Sequence, residues 1–214
     1  MPIVASTRIP VLTIGHSNHA PEAFLALLKR HGVDVIVDVR SAPYSRYLPH
    51  FNKEHLAKTL NESGIRYVFR GKDLGGQPAE RAFYDEDGRI RYDEVARTPA
   101  YGEGMDFIVD GADECRIALM CSEKEPLDCH RTLMVSQSLA QRGVAVAHIH
   151  ADGSVESHEE AIDRLLHQLN LPPNGDLFRS REEVIEDAIS RQAQKVGARW
   201  ADPAMGGARW ERAL

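Results

Sequence analysis

Short apolar runs alternate along this chain with amphipathic segments long enough to be helices, and this alternation constrains the fold most strongly. Val11–Gly15 is a buried-strand pattern ending in glycine, and similar runs follow at residues 33–39, 65–69, 116–120 and 144–149. The sequence also predicts five helices. One begins at Pro21, one contains Leu56 and Leu60, one begins near His130, and two cover residues 159–169 and 182–196. Strands that alternate with such helices form parallel βαβ units. We therefore expect an α/β fold: a three-layer sandwich with a mostly parallel central sheet flanked by helices.

The length of 214 residues favours one domain. We assign residues 1–199 to a single α/β domain and residues 200–214 to a loosely held C-terminal tail. Residues 73–105 are the least regular stretch, rich in glycine and proline from Gly75 and Gly76 onward. This stretch is either an excursion that lies over the functional site or a small helical insertion.

Composition excludes several classes of protein. Hydrophobic residues make up 43% of the chain and charged residues 27%, a mixture typical of soluble globular proteins. No apolar run approaches the ~20 residues of a membrane span, and the N-terminus lacks the pattern of a signal peptide. We therefore expect a cytoplasmic protein without membrane contact. Three cysteines in a chain of this length do not indicate a disulfide framework.

The charge is unevenly distributed. The net charge is −6, which argues against a protein whose whole surface coats nucleic acid. Residues 40–72 nevertheless contain seven basic and two acidic side chains, whereas residues 152–187 contain ten acidic side chains and three arginines. The basic segment indicates a local anion site, and the alternative is a pair of solvated helix faces of opposite sign.

Polar side chains follow three of the five predicted strands. They are His16, Ser17 and Asn18 after the first; Asp38, Arg40, Ser41, Arg46, His50 and Asn52 after the second; and Cys121, Glu123, Cys129, His130 and Arg131 after the fourth. Ligands of open parallel sheets bind just beyond the carboxyl ends of the strands. The sequence therefore predicts a functional site at this edge of the sheet.

The third group has the most reactive chemistry. Cys121 leaves a buried strand, and the helix that begins near His130 favours an anion at its N-terminus and a lowered pKa for a nearby thiol. Cys121 is the candidate nucleophile or redox centre, Glu123 or His130 the proton carrier, and Asp38 a carboxylate that orients an arginine or reacts itself. The anion-binding candidates are His16, Ser17, Asn18, Arg40, Ser41, Arg46, His50, Asn52, Cys129 and Arg131.

Structural roles for these residues remain open alternatives. Cys121 is equally consistent with a small apolar residue at a strand end. Arg131 could form a buried ion pair with Glu123 or Asp38. The spacing also differs from that of cysteine-dependent phosphatases, because nine residues separate Cys121 from Arg131.

A metal site is not predicted. Cys121 and Cys129 lie eight positions apart, which fits no compact zinc knuckle, and no paired CxxC motif accompanies them. The sequence identifies no cofactor.

Several motifs together resemble one known family. They are Thr13-Ile14-Gly15-His16-Ser17-Asn18, Asp38-Val39-Arg40-Ser41 with Pro43 and Ser45-Arg46, His50-Phe51-Asn52, Leu74-Gly75-Gly76, and Met120-Cys121-Ser122-Glu123 with Pro126 and Cys129-His130-Arg131. The chain resembles the bacterial family of domain of unknown function 488, from about Val11 to Trp200. The resemblance implies a compact cytosolic α/β domain with these site residues, and it implies no activity.

Two functional hypotheses follow from the sequence. The first is an enzyme, a cysteine-dependent hydrolase or transferase, that acts on a phosphate-bearing or nucleotide-like small anion at the carboxyl edge of the sheet. The second is a nucleotide- or nucleic-acid-binding module that stacks bases on Tyr44, Tyr47 and Phe51. The partner is accordingly an anionic small molecule or nucleotide, or a nucleic acid. Oligomeric state is not predicted.

Overall fold

Residues 9–197 are described by the computed structural model, and within them six strands form one sheet. The strands are β1 (Val11–Gly15), β2 (Val35–Asp38), β3 (Arg66–Phe69), β4 (Ile117–Cys121), β5 (Val146–Ile149) and β6 (Val155–Ser157). Their order is β3-β2-β4-β1-β5-β6, and every neighbouring pair is parallel except β5 and β6. The prediction of a mostly parallel sheet is confirmed. The sequence does not reveal β6 because this strand has only three residues and none is buried.

The helices fall between and after the strands. They are α1 (Pro21–Arg30), α2 (Lys53–Glu62), α3 (Gly71–Leu74), α4 (Tyr92–Ala96), α5 (Pro99–Gly111), α6 (Gln137–Gln141), α7 (His158–Gln168) and α8 (Arg181–Val196). A π-helical segment, Arg131–Ser136, leads directly into α6. None of the helices within residues 9–197 is long and apolar enough to cross a bilayer.

Helices cover both faces of the sheet, which confirms the three-layer sandwich. Phe24 of α1 and Leu60 of α2 pack on one face, in a core that includes Ile14 and Met120 of the central strands. Met105 of α5 and residues of the π-helical segment pack on the other face. Burial of these large apolar side chains is the main favourable contribution to folding.

The irregular stretch at residues 73–105 contains the end of α3, all of α4 and the start of α5. Its Gly76 lies against the ring of His130, so closely that a Cβ at this position would overlap the imidazole. The stretch therefore contributes backbone to the edge of the sheet where the polar residues collect. The predicted tail at residues 200–214 lies outside the described residues.

Side-chain alternation along the strands divides the polar residues between two faces. Asp38 pairs with Met120, one residue before Cys121. Because successive side chains of a strand point to opposite faces, Asp38 and Cys121 lie on opposite sides of the sheet. The edge predicted as one site therefore consists of two adjoining clusters.

A chain of buried polar side chains crosses the face that carries Cys121. Thr13 Oγ1 lies 2.8 Å from Nδ1 of His148. Nε2 of His148 lies 3.2 Å from Nδ1 of His158, whose Nε2 lies 3.1 Å from Oε1 of Gln137. Burial lowers the pKa of His158 to about 4 and holds the pKa of His148 well below its usual value. Both histidines are therefore neutral in the native protein at neutral pH.

This burial predicts a loss of stability in mild acid. An unfolded histidine takes up a proton near pH 6.5, whereas native His158 does so only near pH 4. The free energy of unfolding should therefore fall as the pH is lowered from 6.5 to 4, by roughly 3 kcal/mol for His158 alone. Urea unfolding at pH 7 and pH 4.5 measures the difference. The variant His158→Gln should show a weaker dependence, and His55→Gln, at an exposed position, should match the wild type. Equal stability at both pH values would contradict the prediction.

Candidate functional site

Two cysteines, a histidine and a glutamate meet at the carboxyl end of β4; Cys121, Glu123, Cys129 and His130 are called the thiol cluster below. Sγ of Cys121 lies 3.6 Å and Sγ of Cys129 lies 3.8 Å from Nδ1 of His130. The carboxylate of Glu123 lies 2.9 Å from Sγ of Cys129. The two sulfurs and the imidazole nitrogen are all within 4.8 Å of one another. Cys121 ends β4, and the loop after it returns Cys129 and His130 to the same place.

The orientation of His130 follows from a single hydrogen bond. Its Nε2 lies 3.0 Å from the carbonyl oxygen of Val39, which can only accept a hydrogen bond. Nε2 therefore carries a hydrogen, and in the neutral ring Nδ1 offers its lone pair to the two sulfurs. The close approach of Gly76 holds the ring from the side. His130 is thus positioned to accept a thiol proton or to bind a metal ion.

The surroundings of the thiol cluster favour ionisation of Cys129 over ionisation of Cys121. Burial raises the pKa of the Cys121 thiol, and the neighbouring Cys129 raises it further. Burial also opposes ionisation of Cys129, but the hydrogen bond from Cys121 and the charges of Arg131 and His130 outweigh it, so the pKa of Cys129 is well below its usual value. The sequence predicts the reactive thiol at Cys121, whereas this environment favours a thiolate at Cys129. Both side chains are buried, at 3% and 2% exposure.

A second group, the arginine cluster of His16, Asp38, Arg40, Phe51 and Tyr67, lies on the opposite face. Nε of Arg40 donates to Oδ1 of Asp38 over 2.9 Å, and its NH2 group donates to Oδ2 over 2.6 Å. The NH2 group also donates to the carbonyl oxygen of Phe51, and NH1 lies 3.1 Å from Nε2 of His16. The hydroxyl of Tyr67 donates to Oδ2 of Asp38 over 2.6 Å. The guanidinium of Arg40 is therefore directed into the protein, and Asp38 orients it.

His16 is a neutral acceptor within this cluster. A guanidinium can only donate, so Nε2 of His16 accepts from Arg40 while Nδ1 lies 2.9 Å from the carbonyl oxygen of Ser17. Burial, followed by the charge of Arg40, lowers the pKa of His16 to about 4. Its ring stacks on Phe51 with 4.2 Å between centroids. In this arrangement His16 supports the arginine and the loop after β1.

Arg131 supports the loop of the thiol cluster. Its side chain is fully buried, with NH1 donating to the carbonyl oxygen of Glu123 over 2.6 Å and NH2 to that of Lys124 over 3.4 Å. The ion pair with Glu123 or Asp38, considered as an alternative from sequence, is not the arrangement observed, because Asp38 pairs with Arg40. Gly15 makes this contact feasible, since a Cβ there would overlap the Glu123 carbonyl.

The remaining predicted residues lie in the loops around the two clusters. Ser41 Oγ accepts from the backbone N–H of Gln77, and Asn52 Oδ1 accepts from that of Ser45. His50 Nε2 lies 3.2 Å from the carbonyl oxygen of His19. Ser17 is half-buried, whereas Asn18 and Arg46 are exposed.

Sequence reasoning missed Tyr67 and Lys124. Tyr67 lies two residues before Phe69, the partner of Asp38, and therefore on the face that carries Asp38; strand alternation would have indicated it. Lys124 is exposed beside Glu123. It lines a cavity of about 440 Å³ together with Glu125, His150, Ala151, Asp152 and Ser154, at the carboxyl ends of β4 and β5.

Comparison with known proteins identifies a family and no curated relative. The family model described as "Domain of unknown function DUF488" matches residues 20–137, just over half of the chain and a narrower span than the sequence motifs occupy. No curated protein matches the chain significantly.

Two crystal structures of a protein from Shewanella putrefaciens CN-32, named a candidate phosphatase (DUF442), are similar at 15% and 14% identity. The similarity covers 89% of this chain and 91% and 89% of those chains, with a TM-score of 0.39 in both cases. A TM-score this low supports no conclusion about fold or chemistry.

Proposed function

This chain belongs to the family of domain of unknown function DUF488, which assigns it no activity, and from the geometry of its site we propose that it is an enzyme acting on a small phosphate-bearing or nucleotide-like anion. The thiol cluster is its reactive centre, at the carboxyl edge of the sheet. The arginine cluster is the structural support behind it.

One observation carries the proposal: Nδ1 of His130 faces two sulfurs while Val39 holds the opposite nitrogen. A structural cysteine needs no such partner, since a thiol is buried readily among apolar side chains. Proton transfer from Sγ of Cys129 to Nδ1 gives a thiolate and an imidazolium without any change in total charge. A carboxylate beside them, that of Glu123, offers a second site for the proton.

Lys124 supports the anionic character of the substrate. It is exposed next to the thiol cluster, it borders the cavity at the ends of β4 and β5, and it makes no ion pair with any residue between 9 and 197. Its charge adds to burial in lowering the pKa of His19. Neither Arg40 nor Arg131 is needed as a substrate ligand in this proposal, because both bind groups of the protein itself.

The test is a screen of phosphate-bearing compounds with the full chain. Nucleoside 5′-mono-, di- and triphosphates and p-nitrophenyl phosphate are assayed for binding by calorimetry and for conversion by mass spectrometry. For the converted compound, Cys129→Ser should lower kcat by at least ~100-fold. Lys124→Gln should raise KM by about tenfold at unchanged kcat, because it removes a charge that binds substrate and transition state alike.

Cys115→Ser is the matched control, since Cys115 lies outside the thiol cluster and precedes β4. It should leave kcat and KM unchanged. The proposal is wrong if none of these compounds binds with a Kd below ~1 mM, or if Cys129→Ser retains the turnover of the wild type.

A nucleotide- or nucleic-acid-binding role without catalysis is a second candidate, favoured by two exposed aromatic rings. Tyr44 is 73% and Tyr47 is 59% exposed, and the guanidinium of Arg46 lies 5.1 Å from the Tyr47 ring centroid. Phe51 cannot serve as a stacking surface because it is buried beneath His16. Salt-dependent binding of a single-stranded DNA oligonucleotide, weakened about tenfold or more by Tyr44→Ala with Tyr47→Ala, would support this role.

A further inference from the structure

The three donor atoms of Cys121, Cys129 and His130 have the spacing of a metal coordination sphere. Zinc binds thiolate sulfur at about 2.3 Å and imidazole nitrogen at about 2.0–2.1 Å, so adjacent donors of a tetrahedral site lie roughly 3.6 Å apart. The two sulfurs lie 3.6 and 3.8 Å from Nδ1 of His130. Each sulfur is thus at the distance from the nitrogen that a shared ion requires.

The hydrogen bond at the other ring nitrogen of His130 also fits a metal ligand. Histidines that bind metals commonly donate their other ring N–H to a carbonyl or carboxylate, which fixes the tautomer and the ring orientation. His130 makes this hydrogen bond to the carbonyl oxygen of Val39 over 3.0 Å. Gly76 packs on the ring and limits its movement. The lone pair of Nδ1 is therefore held toward the sulfurs by the fold itself.

A divalent cation would offset the charge of the two cysteine ligands. Cys121 and Cys129 are both buried, so two thiolates at this place would carry two negative charges out of water. Arg131 supplies one positive charge nearby, where its NH1 group donates to the carbonyl oxygen of Glu123. Without a metal ion, protons must remain on the sulfurs to avoid the cost of uncompensated buried charge.

Thiolate and imidazole ligands select the metal. Two sulfurs and one nitrogen as ligands favour Zn²⁺ over Mg²⁺ or Ca²⁺, which prefer oxygen ligands. Three protein ligands leave a fourth position, next to Glu123, for water or for an oxygen of the substrate. The sequence could not indicate this set, because Cys121 and Cys129 are too far apart along the chain for a zinc knuckle and approach only when the loop folds back.

We propose that Cys121, Cys129 and His130 bind one Zn²⁺ ion, with the fourth position open beside Glu123. This inference rests on the proposed function and specifies its reactive centre. With the ion bound, the two cysteines and Nδ1 of His130 are ligands, so metal binding takes the place of proton transfer from Cys129 to His130, and the fourth position is where the substrate anion meets the ion. Lys124, exposed beside Glu123, remains the group that attracts the anion.

Metal content is measured on the full chain, purified without chelators from cells grown with zinc. Elemental analysis should find about one Zn²⁺ per chain. The metal-free protein should bind Co²⁺ with the absorption of a tetrahedral thiolate complex. Cys121→Ser, Cys129→Ser and His130→Gln should each weaken Zn²⁺ binding by at least ~100-fold, whereas Cys115→Ser should bind like the wild type. His130→Cys keeps a ligand at this position and should retain the ion, and circular dichroism establishes that each variant is folded.

Two results would overturn the metal inference. One is wild-type protein with less than about one tenth of an ion per chain even after incubation with Zn²⁺. The other is a Co²⁺ spectrum that is the same in the wild type and in the Cys121→Ser, Cys129→Ser double variant. Failure of the proposed function is a separate outcome: protein with one bound ion that neither binds nor converts any compound of the phosphate panel. If metal-free protein converts the substrate at the full rate, the proposed function is supported and the metal inference is wrong.

Discussion

Replacing Asp38 with alanine is expected to lower the free energy of unfolding by about 3–5 kcal/mol. Asp38 is fully buried and accepts hydrogen bonds from Arg40 and Tyr67. Its removal leaves the guanidinium of Arg40, which is 4% exposed, without its counter-ion. An unpaired buried charge costs far more than the net contribution of the pair. Urea unfolding of the wild type and the variant at pH 7 measures the difference.

Two further variants separate the charge from the packing. Arg40→Met combined with Asp38→Leu removes both charges, so the double variant should be more stable than Asp38→Ala alone. Tyr67→Phe removes one hydrogen bond and should cost only about 1 kcal/mol. A loss for Asp38→Ala no larger than that for Tyr67→Phe would show that Arg40 finds another partner and that Asp38 is not the group that holds the arginine cluster together.

Replacing Arg131 with methionine is expected to cost about 2–4 kcal/mol and to release the loop that carries the thiol cluster. Methionine fills most of the volume of the side chain but cannot donate to the carbonyl oxygens of Glu123 and Lys124. Those carbonyls would then have to turn toward water, which moves Glu123 away from Cys129. Urea unfolding measures the stability. The reactivity of Cys129 toward iodoacetamide, compared with that of Cys115, reports whether the loop has moved.

Arg142→Met is the control for Arg131, because Arg142 is 39% exposed and pairs with Asp106 at the surface. It should change stability by less than about 1 kcal/mol. Arg131→Lys should not restore the wild-type stability, since one ammonium group cannot reproduce the fork that reaches two carbonyls. Full stability of Arg131→Lys would show that charge alone, and not the shape of the guanidinium, holds the loop.

The sequence was sufficient to predict the layers of the fold and the edge of the sheet that carries the polar residues. Apolar runs and helical periodicity indicate which faces of a segment are buried, because both patterns involve only residues that are close together in the sequence. The five parallel strands were therefore predicted within a few residues, while β6, with three residues and little burial, was not. The predicted polar groups do lie in the loops that follow β1, β2 and β4.

Only the tertiary structure determines which groups those polar residues contact. Whether Arg40 and Arg131 bind a ligand or the protein depends on which acceptors lie within about 3 Å of them, and these come from segments far away in the sequence. Likewise, His130 faces Cys121 and Cys129 only because the loop after β4 folds back and Val39, on a different strand, accepts from its other nitrogen. Hydrogen bonds and coordination need distances and angles that residue spacing along a loop does not fix. The residue types and the sheet edge are thus properties of the sequence, and the division into an arginine cluster and a thiol cluster on opposite faces is a property of the fold.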